Sequence, residues 1–170
     1  IAGVATQTLE VIEDLPDVEV IVMPLGGGSS AAGACIVAKA TSPDIKVIAV
    51  QSESAPAGYR SWEAGRLVED VNQTSAEGLA TASGYELPQA VLREHLDDFI
   101  LVSDDEIRWA IGLLIEKSHT MAEAAGAAAT AGAVKIQESL KGKKVSITIS
   151  GGNITLDQLA EAIRVYKNTV

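Results

Sequence analysis

The stretch "VEVIVMPLGGGSSAAGA" (residues 18–34) passes from a short β-branched segment through three glycines into a run of small residues. Residues 18–23 are mostly apolar on both faces, as in a strand that is covered on two sides. The small residues that follow the glycines are typical of a helix that packs close to a sheet. This order of strand, glycine loop and helix predicts a parallel α/β unit.

The same signals recur along the chain. Strands are predicted over 46–50, 98–102 and 143–150, and helices over 4–15, 29–40, 86–96, 103–118, 122–137 and from 155 onward. The helix that starts after Ser103 has the capping-box spacing to Glu106. Residues 52–83 are predicted to hold no long element, because glycines and Pro56 interrupt them. Strands that alternate with helices predict an α/β fold with an open, mainly parallel twisted sheet and helices on both faces.

The composition indicates one globular domain. The chain has 170 residues, of which 47% are hydrophobic and 21% charged, as in a soluble folded protein. No apolar run approaches the roughly 20 residues that a membrane span requires. The formal net charge of -10 disfavours nucleic acid as a partner, because most of the surface would repel phosphates. The single cysteine, Cys35, is predicted to be a buried packing residue in a protein of a reducing, cytoplasmic compartment.

Residues 26–30 ("GGGSS"), here called the glycine loop, are a candidate phosphate site. The first N–H groups of a helix have no internal partner, and glycines let an anion approach them. The alternative is a flexible turn between strand and helix. Neither the P-loop pattern nor the spaced glycines of the dinucleotide fold is matched. The stretch "SGGN" (residues 150–153) also follows a predicted strand, so it either contributes to the same site or is only a turn into the last helix.

The stretches "VMPLGGGSSAAGA", "SAEGLA", "AEAAGAA" and "ITISGGN", in this order and spacing, resemble the C-terminal half of fold type II pyridoxal phosphate (PLP) enzymes. The similarity is greatest to the group of threonine/serine dehydratases and serine racemase, and it covers essentially the whole chain. It implies that residues 1–170 are part of the large domain, the C-terminal portion of a dehydratase-like catalytic domain. The N-terminal half, with the Schiff-base lysine, would be absent.

The resemblance also implies site residues. The cofactor phosphate would bind the backbone of Gly26, Gly27, Gly28, Ser29 and Ser30, with Ser29 in place of the family's fourth glycine. The backbone of Gly78 would approach the cofactor and Glu123 would line its ring. Ser150 would face the pyridine nitrogen. For Glu123 the alternative is an ordinary carboxylate at the start of a helix.

Two expectations concern groups that this chain would lack. Some family members bind a divalent cation after the second strand, but Gln51 and Ala57 stand where carboxylates are expected, so no metal site is predicted. No lysine has the sequence context of the Schiff-base residue, and Lys39 is interpreted as a solvated residue near a helix end. His95 and His119 are too isolated to be proposed as a base or a ligand.

These expectations leave three functions open. The resemblance implies a lyase that dehydrates and deaminates L-threonine or L-serine to a 2-oxo acid and ammonia, acting as a dimer. A racemase would use the same cofactor and would also remove the α-proton of the amino acid. A non-catalytic module that binds phosphate or PLP would have lost the lysine half. The 170-residue chain alone is predicted to be inactive.

Overall fold

A four-stranded sheet forms the centre of the computed structural model, which describes residues 1–169. The strands are β1 (Val20–Pro24), β2 (Lys46–Ser52), β3 (Asp98–Val102) and β4 (Val145–Ile147). They lie in the order β3-β2-β1-β4, and each neighbouring pair is parallel. The predicted parallel sheet is therefore confirmed.

The helices lie between and after the strands. They are α1 (Ala2–Asp14), α2 (Ser29–Thr41), α3 (Ala57–Glu63), α4 (Glu86–His95), α5 (Asp104–Ser118), α6 (Ala124–Lys135), α7 (Gln137–Leu140) and α8 (Leu156–Thr169). A single 3-10 turn covers Glu77–Leu79. The predicted capping box of α5 is present, because the Ser103 hydroxyl accepts from the Glu106 N–H and the Glu106 carboxylate accepts from the Ser103 N–H. No helix in residues 1–169 is long and apolar enough to cross a membrane.

Alternate residues of β1 belong to two separate hydrophobic clusters. Val20 and Val22 pack with residues of α5, α6 and α8, whereas Ile21 and Met23 pack with residues of α1, α2 and α4. Since successive side chains of a strand point to opposite faces, the helices cover both faces of the sheet. This layering confirms the predicted fold class.

Two elements differ from the prediction in length. The strand expected over 143–150 is regular only at Val145–Ile147, which are the residues that pair with β1. The helix expected over 122–137 ends at Lys135, and the separate short helix α7 follows. Sequence periodicity does not report at which residue the pairing of a strand or the regular turns of a helix end.

The prediction also missed α3. This helix begins after Pro56 and buries Ala57, Gly58 and Ser61. A Cβ atom at Gly58 would lie 2.8 Å from the Leu25 side chain and 3.0 Å from Gln51 Oε1. Gly58 is therefore a packing residue that lets α3 approach the sheet, although in the sequence it resembles a helix breaker.

Two side chains outside the sheet have clear roles. Cys35 is fully buried in α2, and burial raises the pKa of its thiol to about 12, which confirms its assignment to packing. Lys39 is not a solvated residue, which corrects the prediction. Its ammonium group donates to the Asp97 carboxylate at 2.7 Å and to the Ile45 carbonyl at 2.8 Å, so it joins the end of α2 to the sheet.

Candidate functional site

A cavity of about 250 Å³ lies at the carboxyl ends of β1 and β4. All of the residues predicted for the site line it: Gly26, Gly27, Gly28, Ser29, Ser30, Gly78, Glu123 and Ser150. They come from four separate parts of the chain. The parallel sheet places the two strand ends side by side, and the cavity is at the edge where open α/β sheets bind ligands.

The glycine loop forms the start of α2. Gly28 is the N-cap residue and has the left-handed backbone angle φ of 87°, which glycine adopts without strain. No side chain caps this end of the helix, so its first N–H groups are left for a ligand. This backbone and the positive end of the helix dipole make the loop a suitable place for a phosphate.

The wall of the cavity next to Gly26 is formed by the 3-10 turn. A Cβ atom on Gly26 would overlap the carbonyl oxygen of Gly78, and a Cβ atom on Gly78 would lie 2.7 Å from Ala125 Cβ. The backbones of Gly26 and Gly78 are therefore in direct contact, and α6 packs behind the turn. The family resemblance placed Gly78 close to the cofactor, and the structure brings it to the same cavity.

Glu123 and the "SGGN" segment form the remaining side. The Glu123 N–H donates to the Gly151 carbonyl at 3.0 Å, and its carboxylate accepts from the Asn153 N–H at 3.2 Å. Glu123 is the N-cap residue of α6, and its carbonyl accepts from the Ala127 N–H, but its side chain accepts no hydrogen bond from that helix. Its carboxylate therefore does not cap the helix, but it lies at the positive end of the helix dipole, so the alternative of an ordinary helix-start carboxylate stays open.

The last hydrogen bond between β1 and the segment that continues from β4 joins the Thr148 N–H to the Val22 carbonyl, at 3.0 Å. Ser150 lies two residues further along the chain. Ser150 is exposed to the cavity. Its hydroxyl has no hydrogen-bond partner among residues 1–169. A bound ligand can therefore use this hydroxyl without breaking an internal hydrogen bond.

The sequence analysis missed three polar or polarisable residues that also line the cavity: Gln7, Met23 and Thr148. The Thr148 hydroxyl donates to Met23 Sδ at 2.9 Å. Thr148 could have been found, because it precedes Ser150 by two residues and residues at this spacing share a face of an extended segment. Gln7 lies on α1, and no sequence signal connects it with the site.

A cluster of hydrogen bonds around Asp104 was also missed. Its carboxylate accepts from the Ser52 hydroxyl at 2.6 Å, the Thr74 hydroxyl at 2.7 Å, and the Ser75 N–H and hydroxyl at 2.7 and 3.0 Å. Partial burial raises the pKa of Asp104, but these hydrogen bonds outweigh burial and hold the pKa below its ordinary value. The cluster joins β2, α5 and the segment that leads to Gly78.

Gln51 and Ala57, which stand where a metal site would need carboxylates, have other contacts. Gln51 is buried, and its Oε1 accepts from the Tyr59 N–H at 3.0 Å. Ala57 is buried at the start of α3. Within residues 1–169 no group of three or more His, Cys, Asp and Glu side chains could hold a metal ion, and the absence of a metal stays a prediction. Neither His95 nor His119 lines the cavity.

The fold and the cavity together define an α/β protein whose polar pocket suits a small anionic ligand. Backbone N–H groups and hydroxyls would bind the anion, and Glu123 is the only charged side chain among the lining residues. A family model described as pyridoxal-phosphate dependent enzyme matches residues 1–151. The chain belongs to this family, and the predicted cofactor class is thereby confirmed.

Relatives with known activities have similar sequences and structures. L-threonine ammonia-lyase from Thermotoga maritima is 40% identical over 164 residues, which are 96% of this chain and 41% of that protein. Serine racemase from Dictyostelium discoideum is 35% identical over 168 residues, which are 96% of this chain and 52% of that protein. The structure of the processed form of threonine deaminase isoform 2 from Solanum lycopersicum matches with a TM-score of 0.91 at 29% identity, over 96% of this chain and 48% of that one.

These matches confirm the resemblance seen in the sequence. The family is PLP-dependent, and these relatives are an L-threonine ammonia-lyase, a serine racemase and a threonine deaminase. The chain spans about half the length of the relatives it matches.

Proposed function

We propose that residues 1–170 are the C-terminal portion of the catalytic domain of a PLP-dependent ammonia-lyase that acts on L-threonine or L-serine. The observation that carries the proposal is the convergence of four chain segments, each with a residue expected at the cofactor, on one cavity. The products would be a 2-oxo acid and ammonia.

The cavity fits PLP. The glycine loop would hold the phosphate through backbone N–H groups, and the hydroxyls of Ser29 and Ser30 could add hydrogen bonds. Gly78 and Glu123 would border the ring, and Ser150 would face its nitrogen. Bound PLP supplies an electron sink that makes the α-proton of an amino acid more acidic.

Ser150 supports elimination as the reaction type. A hydroxyl is a weak acid, so a ring nitrogen that faces Ser150 stays largely unprotonated. The electron sink is then moderate, which suits loss of a β-hydroxyl group better than transamination. Ser150 would orient the ring and keep its nitrogen unprotonated.

The Schiff-base lysine would lie in a segment outside residues 1–170. No lysine is among the residues that line the cavity, and Lys39 is held by Asp97 at the far end of α2. The same outside segment would close the cavity and bind the substrate carboxylate. The share of each relative that the chain matches supports this division of the catalytic domain.

Further parts of the proposal concern partners and location. A homodimer is proposed from the family resemblance, with a hydroxy-amino acid as substrate and without nucleic acid or membrane partners. The net charge of -10 supports the exclusion of nucleic acid. A reducing cytoplasmic compartment suits the single buried thiol of Cys35.

Two other functions are each favoured by an observation. A racemase is favoured by the likeness to the Dictyostelium discoideum serine racemase. A non-catalytic PLP-binding module is favoured by a cavity whose described lining contains glycines, hydroxyls and one carboxylate but no lysine. Proton removal at the α-carbon is common to the lyase and the racemase, so their products distinguish them.

The test is an assay of the complete gene product with PLP and L-threonine or L-serine. The proposal predicts formation of a 2-oxo acid and ammonia in equal amounts. D-serine as the main product would support the racemase, and bound PLP without any turnover would support the module. A complete gene product that does not bind PLP would contradict all three.

A further inference from the structure

Asp104 lies outside the cavity but is linked to its wall by a short piece of chain. Ser75 donates two hydrogen bonds to Asp104, and Gly78 follows it after only two residues. Between them Ala76 is 1% exposed, and next to Gly78 Leu79 is also 1% exposed. These two buried side chains leave the segment little freedom, so its position depends on how its start is anchored.

The start of the segment is anchored mainly by Asp104. The Thr74 hydroxyl, which donates to Asp104, also accepts the Ala76 N–H at 3.1 Å. Arg108 adds a hydrogen bond to the Ser75 hydroxyl at 3.0 Å. On the other side of the carboxylate, Ser52 at the end of β2 donates at 2.6 Å. Asp104 thus fixes the segment 74–79 relative to the sheet edge.

We propose that Asp104 is a positioning residue for the cofactor site, because it holds the backbone of Gly78 against Gly26. The proposal rests on the proposed function, in which these two backbones border PLP. If the segment 74–79 moved away, the wall that Gly78 forms beside Gly26 would be displaced and the cavity would widen. Asp104 itself touches neither the cavity nor the ligand.

The hydrogen-bond chemistry favours a carboxylate at this position. Both oxygens of Asp104 act only as acceptors, and each faces two donors. An asparagine has the same shape, but its NH₂ group is a donor. It would therefore face two of the four donors. If it faced the Ser52 and Thr74 hydroxyls, these could be kept only by turning from donors into acceptors, and if it faced Ser75, the backbone N–H would lose its acceptor. Loss of a partner for a buried or half-buried donor is costlier than loss of a solvated one.

Asp105 provides a matched control. It is the neighbouring residue, it carries the same charge in the first turn of α5, and it is exposed. Its only side-chain partner is Arg108, at 2.7 Å on the same helix. Arg108 also donates to the Ser75 hydroxyl, but an asparagine at position 105 keeps an oxygen that can accept from Arg108. Asp105→Asn therefore removes the same charge from the same helix terminus while both hydrogen bonds of Arg108 can remain.

The experiment compares the complete gene product with its Asp104→Asn and Asp105→Asn variants. PLP dissociation constants are measured by titration at a temperature at which all three proteins are fully folded. Hydrogen exchange is followed in parallel over residues 72–79 and, as a reference, over α8. The expected result is that Asp104→Asn binds PLP at least about tenfold more weakly and exchanges faster over 72–79 only, while Asp105→Asn matches the unmodified protein.

Three outcomes would overturn the proposal: equal PLP affinity of the two variants, faster exchange spread equally over 72–79 and α8, or unchanged exchange over 72–79. If Asp104→Asn does not fold, Thr74→Val is the substitute. It removes one of the four hydrogen bonds to Asp104, together with the bond from the Ala76 N–H to the Thr74 hydroxyl, and must show the same pattern. Unchanged affinity in Thr74→Val would then contradict the proposal. An unmodified protein that does not bind PLP would instead contradict the proposed function.

Discussion

Gly26 is the residue at which two walls of the cavity meet. Its backbone touches the carbonyl of Gly78 and leaves no space for a side chain. Gly28 has a different requirement, because its backbone angle φ of 87° disfavours other residues. Gly27 has neither constraint, since a Cβ atom there would only reach the Tyr85 ring at 3.7 Å. The three adjacent glycines therefore have three different physical roles.

Replacement of Gly26 by alanine is expected to destabilise the protein. The added methyl group must push the segment that carries Gly78 away, and such overpacking costs about 1 to 3 kcal/mol. Chemical denaturation measures the loss. Gly3→Ala is the control, because no atom lies within 4 Å of the added Cβ at Gly3. Equal stability of the Gly26 and Gly3 variants would contradict the close contact between the backbones of Gly26 and Gly78.

Replacement of Ser150 by alanine is expected to lower turnover of the complete enzyme while leaving the fold intact. The hydroxyl has no internal partner in the described residues, so its removal breaks no hydrogen bond within the chain. PLP affinity should fall only modestly, since one neutral hydrogen bond contributes about 0.5 to 1.5 kcal/mol. Steady-state kinetics and PLP titration measure the two effects. Turnover equal to that of the unmodified enzyme would exclude Ser150 as the partner of the ring nitrogen.

At the scale of elements, the sequence predicted those whose pattern is local. β3 was predicted with its observed bounds, because "DFILV" is β-rich and has clear ends. The start of α5 was predicted because the capping box uses residues only three positions apart. The extent of β4 and the presence of α3 depend on contacts with distant residues, such as that between Gly58 and Leu25. Periodicity does not contain this information.

The first turn of α5 should make stability depend on pH. Hydrogen bonds hold the pKa of Asp104 below its ordinary value of 3.8, despite partial burial. A lowered pKa in the folded state means that the unfolded chain takes up a proton first as the pH falls. The stabilisation by the Asp104 carboxylate is therefore fully present above the ordinary pKa and is lost as the pH falls below it.

Denaturation of the unmodified protein and of Asp104→Asn at several pH values tests this dependence. The difference in unfolding free energy between the two proteins should be constant above roughly pH 5, where carboxyl groups are ionised in both states. It should shrink as the pH falls below 3.8. A difference that does not change between neutral and acidic pH would contradict the assigned hydrogen bonds.

At the scale of the whole molecule, the sequence predicted residues that line the cavity better than the contacts that hold them in place. Eight of the residues that line the cavity were named from short motifs and the family resemblance, and the parallel sheet explains why they converge. The contact between Gly26 and Gly78 and the bonds from Asp104 to Ser52 and Thr74 join residues far apart in the sequence. Neither has a local signature, so sequence reasoning could not find them.

The 170-residue chain alone is expected to show no dehydratase activity. None of its lysines within residues 1–169 lines the cavity, so the chain would lack the group that takes the α-proton. The measurement is 2-oxo acid formation from L-threonine by the purified chain with PLP, after circular dichroism has shown that it is folded. Free PLP in buffer is the control. Turnover clearly above that control would mean that a lysine of this chain serves in catalysis.

The central claim is that the glycine loop binds the phosphate of PLP, and Gly27→Val tests it most directly. Gly27 lines the cavity, has room for a side chain and lacks the left-handed backbone of Gly28. The substitution should therefore leave the fold intact and place a branched group where the phosphate approaches. Gly3→Val is the matched control, because Gly3 lies on the exposed side of α1.

The measurement is the dissociation constant of PLP from the complete gene product, with circular dichroism to verify the fold of each variant. The account predicts at least tenfold weaker binding for Gly27→Val, which corresponds to about 1.4 kcal/mol or more, and no change for Gly3→Val. Unchanged PLP affinity in a folded Gly27→Val protein would contradict the account and leave the glycine loop as a turn between β1 and α2.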